Sequence, residues 1–365
     1  MKPRNSLVLL FLGALALAAG FFVQENREQA AITTSATGQL AFPDLASRIA
    51  SVARIEIADH TKTLQLTRAG DRWVLPEHGD FPALAARAHA LLAALTELRL
   101  VEARTSNPAD FARLGLTAPD EPKSEAKQVR LLDDKGQVLA ALLIGHTRPS
   151  PEPGGTDQVF VRLQGQNQTW LAAATIDADP DFGGWIARDI VNIGHDQVTG
   201  ITIDRLPNDH LVLTRQGDKL VVTVPAEHPV LDQFKIDGMA RGLEFLSFTD
   251  ARKADAAPGQ KRGHVAFTTA DGLTLAADVS EEGNNTWAVL TATGKDKAAA
   301  QATELNRKFS GFALAIPSWQ GKTLLPTLND LKPPEKPATP PISVAPEAPG
   351  SEAPESPAMP PMPGK

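Results

Sequence analysis

Leu64-Gln65-Leu66-Thr67-Arg68-Ala69-Gly70-Asp71-Arg72 returns further along the chain as Leu211-Val212-Leu213-Thr214-Arg215-Gln216-Gly217-Asp218-Lys219. In both stretches apolar and polar residues alternate up to a glycine, the pattern of a half-buried strand entering a hairpin. The correspondence spreads outward on both sides. Val52 to Ile57 returns as Val198 to Ile203, and Leu95, Leu98, Ala103 and Arg104 as Leu243, Leu246, Ala251 and Arg252. Asp134 to Ala141 resembles Ala270 to Ala277, and Phe182-Gly183-Gly184-Trp185 resembles Phe309-Ser310-Gly311-Phe312. Five matches in one order read as an internal repeat, with shorter loops in the second copy.

Each copy has the same internal grammar. Alternating strands come first, and Pro82 then suits the first turn of a helix whose Leu84, Ala88, Leu91, Leu95 and Leu98 share one face. The second helix is expected near Leu231 to Leu246, interrupted by Gly238 and Gly242. Paired strands follow at 127–133 and 137–144, and again at 263–270 and 273–279. Strands before and after one amphipathic helix predict an α+β fold twice over, each unit a mostly antiparallel sheet with one packed helix. The units run over 48–194 and 195–331.

Both ends differ from this body. Lys2 and Arg4 precede an uncharged apolar run from Leu7 to Val23, and Glu25, Arg27 and Glu28 follow it. Seventeen helical residues span about 26 Å, a little short of a bilayer core of about 30 Å. The charge asymmetry keeps the N-terminus inside and exports the rest. Residues 1–23 therefore read as a single membrane anchor, 24–47 as a flexible spacer, and the body as periplasmic, at the bacterial inner membrane. Ala16-Leu17-Ala18 leaves a cleaved signal peptide open as the other reading, although Phe21-Phe22-Val23 continue the apolar run. Residues 332–365 hold 12 of the 29 prolines, and read as a disordered Pro-rich tail, either a spacer or a docking segment.

Composition narrows the function classes. A net charge of -7 with no long basic run argues against nucleic acid as a partner. The absence of cysteine removes disulfides, thiolate nucleophiles, thiolate zinc sites and the lipid-modified cysteine of a lipoprotein.

The hairpin from Leu66 to Trp73, with Ile55 and Ile57 before it, is similar to part of the domain-of-unknown-function 4340 family of bacterial envelope proteins. The resemblance continues through Phe81-Pro82-Ala83, Leu114-Gly115-Leu116-Thr117-Ala118-Pro119, Val129 to Gly136, Ile144-Gly145 and Val159-Phe160-Val161-Arg162. Counting both copies it covers roughly 48 to 330, and the second copy lacks the Leu-Gly-Leu segment. The resemblance implies a membrane-anchored accessory protein accompanying ABC-type export systems similar to those of gliding motility. It supplies no catalytic residues.

The search for chemistry finds little that converges. No two of the eight histidines lie three or four residues apart, as a helical zinc pair would need. Asp177, Asp179 and Asp181 alternate as in the first half of a calcium loop, but Pro180 stiffens the middle and position twelve is Arg188. Whether they bind calcium stays open. Gly321-Lys322-Thr323 lacks the upstream glycine of a phosphate loop, and Asp133-Asp134 and Glu281-Glu282 are adjacent pairs that would point to opposite faces. Trp73, Trp170, Trp185, Trp287 and Trp319 are expected in the core more than in an aromatic platform for glycan or lipid. The reading is a non-enzymatic periplasmic accessory or scaffold, without cofactor, metal or catalytic residues, contacting ABC transporter membrane subunits. A binding module for cell-wall glycan or an exported substrate is the alternative, and the oligomeric state is left undetermined.

Overall fold

A computed structural model describes residues 38–150, 153–187, 191–244, 246–256 and 258–334. The membrane-anchor run, most of the spacer, nearly all of the Pro-rich tail and Arg188 lie outside the described residues. Among the described residues no helix is long and apolar enough to cross a membrane.

The chain is α+β, built on two antiparallel sheets. The first contains β1 (Arg54–Ala58), β2 (Thr63–Ala69), β3 (Arg72–Leu75), β4 (Phe81–Pro82), β5 (Arg99–Ala103), β6 (Lys127–Leu132), β7 (Val138–Arg148), β8 (Gln158–Leu163) and β9 (Thr169–Ala173). Its order is β4-β3-β2-β1-β6-β7-β8-β9-β5. The second contains β10 (Val198–Arg205), β11 (Asp209–Gln216), β12 (Lys219–Val224), β13 (Asp250–Lys253), β14 (Gln260–Thr269), β15 (Leu273–Glu282), β16 (Asn285–Gly294) and β17 (Phe312–Ile316). Its order is β12-β11-β10-β14-β15-β16-β17-β13. Apart from β4 the two orders are the same.

The registers agree as well. Ile55 faces Leu66 and Ile57 faces Leu64, as Ile201 faces Leu213 and Ile203 faces Leu211. On the other side Ile57 faces Val129, as Ile203 faces Val265. The alternation fixes this, because a slip of one residue would turn every isoleucine to the other face of its sheet. Gly70 and Gly217 take φ of +63° and +62°, closing the two hairpins as the sequence predicts.

Five α-helices occur among the described residues: α1 (Leu45–Arg48), α2 (Ala85–Thr96), α3 (Gln233–Ala240), α4 (Lys297–Phe309) and α5 (Ser318–Leu324). Helix α2 buries Ala88, Leu91, Leu92 and Leu95. Of the stripe read from the sequence, Leu84 is the exposed N-cap and Leu98 is buried just past the helix, while Pro82 pairs in β4 and does not open the helix, which starts at Ala85. The second sheet departs from one helix per unit. Helix α3 is short and runs into a turn of 3-10 helix at Arg241–Leu243, and α4 is a full additional helix. It buries Ala298, Ala302, Leu305 and Phe309, and sits between β16 and β17, where the first sheet has only the turn from β8 to β9. Phe309 to Phe312 therefore lead into β17, whereas Phe182 to Trp185 follow β9. That one match does not hold in the fold, and the other four segments occupy corresponding positions.

One apolar cluster runs through both sheets, from Ile55, Leu66 and Val129 to Ile201, Leu213 and Val265. The connection between the sheets is buried with it: Trp185 is fully covered, and its indole donates to the carbonyl of Asp179 at 2.7 Å. The β3–β4 turn reaches across to the second sheet. Phe81 meets Phe312 edge-on with centroids 4.8 Å apart, His78 Nδ1 lies 2.5 Å from Asp250 Oδ1, and Lys253 Nζ lies 3.1 Å from Asp80.

Candidate functional site

The segment from Arg104 to Ala126 crosses the outer face of the first sheet and encloses a cleft against it. Phe111, Leu116 and Ala126 pack on Leu143, with Leu114 and Phe160 beside them, as a small apolar cluster separate from the main core. Two of the family-like motifs meet here. A Cβ at Gly145 would stand 2.2 Å from the carbonyl oxygen of Leu114, so the Ile144-Gly145 step is what lets Leu114-Gly115-Leu116 lie on the strand. Gly115 turns the chain at φ +67°, and Arg162 Nη2 then donates to the carbonyl of Leu116 at 3.2 Å while its guanidinium stacks 4.4 Å over Phe111.

The cleft beside this lid has a volume of about 710 Å3 and is lined by Ala103, Arg104, Thr105, Arg113, Leu114, Arg148 and Phe160. Arg104 is held by Glu102 at 3.0 Å and lies 5.9 Å from the ring of Phe160. Arg113 leans toward Asp110 at 3.6 Å, and the Thr105 hydroxyl donates to Asp110 at 3.0 Å. Arg148 is exposed and has no ion-pair partner among the described residues. Three guanidiniums beside an aromatic ring can hold a carboxylate or phosphate with an apolar portion. Guanidinium groups stay protonated near neutrality, so the three offer permanent positive charge to such a ligand.

The aspartates of the calcium-like segment are spread over separate cations. Arg87 of α2 holds Asp177 at 2.6 Å, Lys127 of β6 lies 3.7 Å from Asp179, and Lys62 holds Asp181 at 2.9 Å. Arg87 also donates to the carbonyl of Gly184 and stacks 4.4 Å over Trp185. The three aspartates thus fasten the inter-sheet connection to the first sheet. No cluster of three or more His, Asp or Glu side chains suited to a metal occurs among the described residues.

Other candidates disperse in the same manner. His78, His146, His195, His210 and His264 each face one carboxylate: Asp250, Glu125, Glu244, Asp204 and Asp278 respectively. Glu281 pairs with Arg262 and Glu282 with Arg252. Asp133 accepts from the backbone nitrogens of Lys135 and Gln137, at 3.0 and 2.8 Å, as a turn former. Gly321 lies within α5 against Thr286, a packing position. Four tryptophans are buried as expected, but Trp319 is 67% exposed. The sequence reading missed the arginine cleft, because its residues come from four separated stretches and show no spacing that a motif could use.

The profile of a family described as a domain of unknown function (DUF4340) matches residues 73–262, about half of the chain. The chain belongs to the DUF4340 family. The match is one run from Trp73 in β3 of the first sheet to Arg262 in β14 of the second, so it takes in the arginine cleft and the whole inter-sheet connection. No curated protein matches this DUF4340 chain.

Proposed function

We propose that this DUF4340 protein is a membrane-anchored, periplasmic accessory or scaffold protein that works beside an ABC-type export system and catalyses nothing itself. The observation that carries the reading is how the body spends its ionisable groups. Five of the eight histidines, with the aspartates of the Asp177–Asp181 segment, go into separate pairs that hold one segment to another, including the His78–Asp250 contact between the sheets. Such pairs tie segments together and leave the surface of the body for contacts. The apolar run from Leu7 to Val23 with its basic leading flank supports the anchor and the outward orientation. The common strand order and register support duplication of one ancestral unit. Affinity capture from crosslinked membranes tests the reading: transporter subunits should come down with the chain, and their repeated absence would remove the export association. A reporter fused after residue 330 should be active only outside the cytoplasm.

A binding module for a cell-wall glycan or exported substrate is the second reading, favoured by the arginine cleft. With four of the five tryptophans buried, binding would rest on charge and not on an aromatic platform. Retention on purified cell wall that is lost in Arg148→Ala and Arg113→Ala would favour this module over the scaffold.

A further inference from the structure

The segment 104–126 that walls the arginine cleft is an addition to the fold the two sheets share. It joins β5 to β6, and the corresponding connection of the second sheet, from β13 to β14, is only residues 254–259. The floor beneath it has a counterpart in both sheets. Arg104 lies over Phe160 of β8 at 5.9 Å, and Arg252 lies over Trp287 of β16 at 4.6 Å. In the second sheet that pair has no such segment beside it, and Arg252 faces Glu282 at 3.7 Å. In the first sheet the added segment brings Arg113 and Leu114 into one cleft with Phe160. The volume of about 710 Å3 is usual for a small-molecule site.

The segment is held down without help from the arginines that face the cleft. Arg162 donates to the Leu116 carbonyl, the Ser124 hydroxyl donates to the Thr117 carbonyl at 2.8 Å, and Phe111 and Leu116 are buried. Arg104, Arg113 and Arg148 are exposed. Glu102 and Asp110 offset Arg104 and Arg113, whereas Arg148 has no ion-pair partner among the described residues. One positive charge is therefore left over at the cleft. A carboxylate or a phosphodiester has one negative charge and two free oxygens, and so matches both that surplus and the forked N–H groups. A second negative charge on the ligand would have only Glu102 and Asp110 left to meet. Ala103, Leu114 and Phe160 put an apolar wall beside the arginines, which calls for an apolar group next to the anion.

We propose that this cleft binds a small, singly charged anion, a carboxylate or phosphodiester, with an apolar group attached. Arg148 takes the charge, and Phe160 with Leu114 takes the apolar group. The inference rests on the binding-module reading and adds the chemistry of the ligand to it.

The test uses the full-length chain in nanodiscs of zwitterionic lipid, with empty discs as the blank. It is titrated with 3-phenylpropionate, with methyl phenyl phosphate and with the neutral 3-phenylpropan-1-ol, and binding is read by saturation-transfer NMR of the probe. At least one anionic probe should saturate, the tighter of the two naming the source of the anion, and the alcohol should bind at least ~10-fold more weakly. Arg148→Ala should weaken the anion about ten-fold, and Arg148→Lys, which keeps the charge without the fork, should recover part of that loss. Arg307→Ala removes an exposed charge from α4 and should change nothing. Urea denaturation should not distinguish these variants from the native chain. Equal binding of the alcohol, equal losses in Arg148→Ala and Arg307→Ala, or tighter binding of the doubly charged phenyl phosphate would each overturn the proposal. Failure of both anions overturns it too; if cell wall is then still retained through Arg148, the binding-module reading stands with another ligand. Anion binding without cell-wall retention keeps the proposal and removes the glycan.

Discussion

At Gly79 the backbone sits at φ +71°, and a Cβ there would lie 2.6 Å from the backbone nitrogen of Lys253. Two costs coincide in Gly79→Ala: left-handed strain, and a push against β13 just where the first sheet touches the second. Gly70 shares the first cost without the second, since its φ is +63° and a Cβ meets nothing within 4 Å. Gly70→Ala should therefore lose about 1 kcal/mol, and Gly79→Ala about 2–3 kcal/mol, measured by urea denaturation. Equal losses would mean that the close approach carries no weight. Glu244 gives a test by pH. The backbone N–H of His195 at 2.8 Å holds its carboxyl below the ordinary value of 4.5, with the His195 ring and Arg241 adding to the effect. A carboxylate with a depressed pKa stabilises the fold fully above its unfolded value and loses that contribution as pH falls through the folded one. The stability difference between the native chain and Glu244→Gln should thus be constant near pH 7 and shrink below pH 4.5. A difference that persists unchanged to acid pH would assign the effect to packing.

Helix α4 shows what an element needs to join a sheet. The Asn306 side chain accepts from the backbone nitrogen of Ala292 at 2.9 Å and donates to its carbonyl at 2.7 Å, standing in for a strand partner on β16. Asn306→Ala leaves both backbone groups without that partner, a loss of about 1–3 kcal/mol. Hydrogen exchange at Ala292 should accelerate by a corresponding factor while β10 and β11 stay protected; equal acceleration everywhere would place the effect in global stability. The helix is also where sequence reading fell short. Ala298, Ala302, Leu305 and Phe309 do recur at helical spacing, but two of the four are alanines, which mark a face weakly, and matching Phe309–Phe312 to Phe182–Trp185 drew the segment into the repeat. The strands were legible because Ile55, Ile57, Leu64 and Leu66 alternate without interruption, and both hairpin glycines announce positive φ. The cleft was not legible, since Arg104, Arg113 and Arg148 become neighbours only after β5, the lid and β7 are in place.

For the whole molecule the question is whether two sheets of the same order make one folding unit or two. Residues 38 to 334 number about 300, the size at which single cores usually divide. Against division stand the apolar cluster common to both sheets, the buried connection around Trp185, and Phe81 inserted toward Phe312 of β17. Phe81 is buried, and it also lies 6.1 Å from Phe182, so one side chain touches the first sheet, the connection and the second sheet together. Opening one half alone would expose that ring and leave His78 and Asp250 without each other. We therefore expect amides of Leu66 in β2 and Leu213 in β11 to exchange through the same global opening, with equal free energies at rising urea. Phe81→Ala removes about 3–5 kcal/mol of packing from the junction, and should separate the two amides into different openings. If Leu66 and Leu213 already differ by more than about 2 kcal/mol in the native chain, the sheets are independent bodies and their contact is only surface docking.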